Sequence, residues 1–80
     1  MMRPGRLNPP RPVPVRAGDD GRPLAVGRLE VVSVREEWLV EDGWWTLEPL
    51  RRRYFELVLE DGSDAVVFSD PSGRWFRQRD

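Results

Sequence analysis

The chain has no cysteine, no histidine and no lysine. The first absence excludes a disulfide staple and a thiolate metal site. Together the three remove the commonest general base, the thiol nucleophile and the Schiff-base amine. The hydroxyl residues Ser33, Thr46, Ser63, Ser69 and Ser72 form no nucleophile-elbow pattern. No glycine-rich phosphate loop is present. The expectation is therefore a protein that is not an enzyme and takes no cofactor. Long apolar runs are also missing, so no membrane-spanning helix is expected. Met1-Met2-Arg3-Pro4 leads into no apolar segment, so no signal peptide is expected either, and a reducing, cytoplasmic setting fits.

At 80 residues the chain is one domain at most. A domain of this size buries only about 60% of its unfolded surface and is marginally stable. All 13 basic residues are arginine, a bias that GC-rich codon usage explains and that also supplies planar, stacking cations. Charge is uneven along a chain whose net charge is −1. Residues 1–28 carry six Arg against Asp19 and Asp20. Residues 29–50 carry Arg35 against Glu30, Glu36, Glu37, Glu41, Asp42 and Glu48. This is not the uniformly basic face of a strong nucleic-acid binder.

Residues 1–10, MMRPGRLNPP, offer little to bury and are expected to form a disordered or extended tail. Residues 11–80 are expected to form a single small β domain. In Arg11–Arg16, Pro12 and Pro14 remove backbone donors and restrict the segment to an edge strand or polyproline-like stretch, with Val13 and Val15 on one face. Ala17-Gly18-Asp19-Asp20-Gly21 reads as a turn. Its two carboxylates lack the further spaced ligands of a calcium loop, so no metal is expected there. Short strands follow over Arg22–Val26, with Leu24 and Val26 on one face, and over Arg28–Val34, with apolar residues on both faces. Arg35-Glu36-Glu37 interrupts the pattern as a solvated turn or strand end, before Trp38 and Val40 resume it.

The chain is organised around Glu37–Gly62, which holds three of the four Trp, the only Tyr and the triple-arginine run. From Arg53 to Glu60, Phe55, Leu57 and Leu59 alternate with Tyr54, Glu56 and Val58, the signature of a half-buried strand. The segment is also rich in helix formers, but Pro49 limits a helix at its start. Glu60-Asp61-Gly62 and Asp70-Pro71-Ser72-Gly73 are turn signals flanking a strand over Ala65–Phe68. Arg74–Arg79 is the last strand. The expected fold is all-β, a small antiparallel barrel or curled sheet of about five to six short strands.

If Trp44 and Trp45 are extended, only one can enter the core. The other, beside Arg51, Arg52 and Arg53, forms the candidate partner-binding site, because Trp and Arg are enriched at binding hot spots.

The order GRPLAV, Trp38-Leu39-Val40, Trp44-Trp45, Arg51-Arg52-Arg53, Glu60-Asp61-Gly62 and Gly73-Arg74-Trp75 resembles the short C-terminal β domain of ImuB-like proteins, over about residues 11–80. Those are catalytically inactive relatives of Y-family DNA polymerases in the bacterial mutasome, and the chain is similar to a stand-alone member of that family. The resemblance implies a non-catalytic accessory or interaction module in DNA repair and translesion synthesis. Its partners would be a mutasome polymerase, sliding-clamp components, a recombinase-related protein or DNA. No catalytic residues carry over. The residues leave two other readings open: a single-stranded nucleic-acid-binding barrel, and a structural domain whose Trp and Arg serve packing and solubility.

Overall fold

The computed structural model describes residues 10–43, 45 and 50–78. Among the described residues, seven antiparallel strands form one curled sheet: β1 (Arg11–Pro12), β2 (Val15–Ala17), β3 (Pro23–Val26), β4 (Leu29–Asp42), β5 (Leu50–Leu59), β6 (Asp64–Ser69) and β7 (Trp75–Arg77). The order across the sheet is β1-β7-β6-β5-β4-β3-β2. The all-β expectation holds, with more strands than expected because the proline-rich segment contributes two. No helix is present among the described residues, so none is long and apolar enough to cross a membrane.

The proline-rich segment has a specific task. β1 pairs with β7 at one edge, and β2 pairs with β3 at the other. Only Val13 and Pro14 separate β1 from β2, so the two edges lie within the short reach of two residues. The Val13 amide donates to the Trp75 carbonyl at 3.1 Å, and the Gly27 amide donates to the Pro14 carbonyl at 2.8 Å. The curl of the sheet encloses the core, where Phe55, Leu57, Leu59, Val67, Ala65 and Val26 pack together, with Val13, Val15, Leu29, Val31, Val34 and Trp75 against them. Leu24 does not follow Val26 inward and is exposed.

Three turns share one device. The amides of Arg22, Ser63 and Ser72 each donate to the carboxylate two residues earlier, at 3.0 Å. In the latter two the serine hydroxyl donates to the same oxygen at 2.6 Å. Asp20 is thus occupied in closing its own turn, as Asx residues do.

Arg35-Glu36-Glu37 is not a turn or strand end: β4 runs through it without a break. The pairing with β5 shifts between Val31 and Ser33 and again between Val34 and Glu36. Each shift is a bulge that inserts one extra residue and resets the alternation. Val31, Val34 and Glu37 therefore share the inner face opposite Leu59, Leu57 and Phe55. Val32, inserted at the first bulge, is left two-thirds exposed. Arg35, inserted at the second, reaches Asp64 at 3.7 Å.

Candidate functional site

Alternation along β5 divides the three arginines. Arg51 and Arg53 lie on one face and Arg52 on the other. Arg51 pairs with Glu41 across the strand at 3.4 Å, both side chains well exposed.

Arg53 ties β5 to β4 and to the turn before β3. Its Nε and Nη2 donate to Glu37 Oε2 at 3.1 and 2.8 Å, and its Nη1 donates to the Asp20 carbonyl at 3.1 Å. Its guanidinium lies 5.1 Å from the centre of the Phe55 ring. Arg22 Nε donates to the other oxygen, Glu37 Oε1, at 3.1 Å. Three of the five guanidinium donors of Arg53 are thus engaged within the fold. The hydrogen bond from Arg53 is the main reason the Glu37 carboxyl sits below its ordinary pKa; the charges of Arg53 and Arg22 add to it, and partial burial opposes it.

Because the folded-state value is the lower one, ionised Glu37 stabilises the fold. That contribution is complete above the unfolded glutamate range and is lost as pH falls through the folded-state value. Glu37→Gln is expected to lower the urea midpoint at neutral pH and to converge on wild type only as the pH falls below the lowered folded-state value. A gap unchanged by acidification contradicts the assignment. Gly21 tests the same network from the turn before β3. It has φ +85, and a Cβ built there would meet Arg53 Nη1 at 2.5 Å. Gly21→Ala is expected to destabilise by about 1–2 kcal/mol, read as a lower thermal midpoint. An unchanged midpoint rules out both the strain and the crowding.

Arg52 stands on the opposite, outer face. Its guanidinium lies 4.6 Å from the centre of the Phe68 ring, and its Nη1 donates to the Tyr54 hydroxyl at 3.4 Å. Among the described residues it makes no ion pair. The rings beside it form a row across four strands. Trp38 of β4 is opposite Tyr54 of β5, Tyr54 is opposite Phe68 of β6, and Phe68 is opposite Phe76 of β7. Ring centres are 5.3, 4.8 and 5.2 Å apart in that order. Such aromatic pairs are the favoured cross-strand neighbours of a sheet. Pro12 of β1 extends the row beyond Phe76. Phe68 is buried beneath its neighbours, whereas Trp38 is 38% exposed. An open depression of roughly 490 Å³ beside the row is lined by Pro10, Leu50, Arg51, Arg52, Phe68, Asp70, Pro71 and Phe76.

The β4–β5 hairpin extends past the rest of the sheet. β5 pairs with β6 only from Arg53 to Val58, while its pairing with β4 continues to Asp42 opposite Leu50. This arm carries large exposed apolar side chains, Leu39 at 58% and Trp45 at 67%, with Leu50 also exposed. Trp45 is therefore not a core residue; Trp44 lies outside the described residues. Of the five residues singled out in the sequence, Arg52 joins the aromatic row, Arg51 and Arg53 sit on the other face, and Trp45 is on the arm. Sequence reasoning missed Trp38, Tyr54, Phe68 and Phe76 as one surface. Each lies in the outward phase of its own strand, and the Asp61–Ser63 and Asp70–Ser72 turns supply the hairpin register that aligns the last three.

Comparison with protein-family models, curated proteins and solved structures returns no match.

Proposed function

We propose that this protein is a non-catalytic interaction module whose binding surface is the outer aromatic row with Arg52 and the neighbouring hairpin arm. The observation that carries the reading is Arg52. It is a cation held over an aromatic ring with no carboxylate partner among the described residues, on the same face as the partly exposed Trp38. Aromatic and arginine side chains on one surface are the composition of binding hot spots. The exposure of Trp45 runs against a purely packing role for the tryptophans.

The link to DNA repair and translesion synthesis rests on the resemblance of the Trp-Trp, triple-Arg and Gly-Arg-Trp order to the ImuB-like C-terminal domain. On that reading the partner is a mutasome polymerase, a clamp component or a recombinase-related protein, met in the cytoplasm.

A second reading has a specific observation behind it. Rings in register with an arginine beside them can also stack the bases of single-stranded nucleic acid. Glu36 and Glu56, directly opposite each other next to Trp38 and Tyr54, oppose it by repelling phosphate. Titration of a fluorescent oligothymidylate at low salt separates the two. The interaction reading expects no salt-sensitive binding. Tight binding that falls steeply with salt transfers the row to nucleic acid.

A further inference from the structure

β4 leaves one of its long edges open. β3 reaches it only at Leu29 and Glu30, whereas β5 pairs with it as far as Asp42. Beyond Glu30 no strand pairs with the second edge among the described residues. Both bulges fall before Glu36, so residues 36–42 form a regular stretch of typical strand length. An open, regular edge presents a row of backbone donors and acceptors to an incoming chain. Side chains on both faces of this stretch are apolar and exposed, Trp38 on the outer face and Leu39 on the inner.

The charge selects the occupant. Residues 36–42, EEWLVED, hold four carboxylates and no base. Glu37 and Glu41 are matched internally by Arg53 and Arg51. Glu36, Asp42 and the facing Glu56 form no ion pair among the described residues. Glu36 opposite Glu56 is a like-charge cross-strand pair, which is unfavourable unless a cation approaches. A second copy of this chain would set the same acidic segment against itself.

We infer that the open edge of β4 over residues 36–42 accepts an extended segment of a partner protein whose side chains alternate between basic and apolar, added as a further strand. Main-chain hydrogen bonds supply the affinity and the carboxylates select the sequence. The inference rests on the reading of the protein as an interaction module and deepens it: the edge belongs to the hairpin arm and shares Trp38 with the aromatic row, whereas Arg52 on β5 belongs to the row alone.

The test is amide hydrogen exchange by NMR on the full chain, with a soluble peptide of alternating Arg and Val and with its Glu–Val counterpart. The Arg–Val peptide is expected to slow exchange about tenfold or more at alternate amides within residues 36–42. The Glu–Val peptide leaves them unchanged. Glu36→Lys with Asp42→Lys, both on exposed positions, weakens Arg–Val binding by about tenfold or more. No slowing at these amides, equal slowing by both peptides, or slowing without peptide as protein concentration rises overturns the inference. The last outcome identifies a second copy as the occupant. Capture of a protein partner that depends on Arg52 while these amides stay unprotected overturns the edge site alone. Loss of that dependence with edge protection intact overturns the aromatic-row site alone.

Discussion

Phe55→Ala is expected to lower the thermal midpoint by about 15 °C or more and to leave little folded protein at 37 °C. Phe55 is fully buried in the core. Its ring lies 5.7 Å from that of Trp75 and beneath the Arg53 guanidinium. Truncation removes its burial and leaves a cavity in the core, at a cost of about 3–5 kcal/mol. An 80-residue chain has only roughly 4–12 kcal/mol of stability in total. Loss of the ring also removes the platform for Arg53, so the Glu37 network loosens with it. Thermal unfolding followed by circular dichroism checks the expectation. A shift of only a few degrees contradicts Phe55 as the keystone of the core.

Trp38→Ala is expected to weaken partner binding by about 30-fold, the effect of losing roughly 2 kcal/mol at a hot spot. Its effect on folding is much smaller, about 1 kcal/mol, because the ring is partly exposed and loses one stacked neighbour, Tyr54. Arg52→Ala acts on the same surface through Phe68 and the Tyr54 hydroxyl. Both residues touch Tyr54, so the two losses are not additive. Binding that falls in parallel with stability, and only by the same factor, contradicts a direct contact.

The parts legible in the sequence are those where a local period or a turn residue sufficed. The central strand read correctly because Phe55, Leu57 and Leu59 alternate without interruption, and its turn read correctly because Asp61, Gly62 and Ser63 close it locally. β4 is not legible through Arg35-Glu36-Glu37 because two bulges change the inward sequence to Val31, Val34, Glu37, a spacing of three that departs from the strand period of two. A carboxylate at an inward position adds to the difficulty; it is tolerated because Arg53 and Arg22 meet it. The candidate surface was harder still. Its rings come from four strands and are brought into line only by pairing register. The triple-arginine run was prominent as a local cluster, yet the strand period assigns its members to opposite faces and leaves Arg52 alone on the aromatic side.

The most direct test of the binding surface is affinity capture from extracts of DNA-damaged cells after nuclease digestion, with wild type and the Trp38→Ala/Arg52→Ala variant in parallel. The variant is first verified as folded by circular dichroism. A protein recovered by wild type despite nuclease, and lost from the variant, is the result expected. Equal recovery by both, or recovery that nuclease abolishes, contradicts a protein-binding surface built on the aromatic row and Arg52.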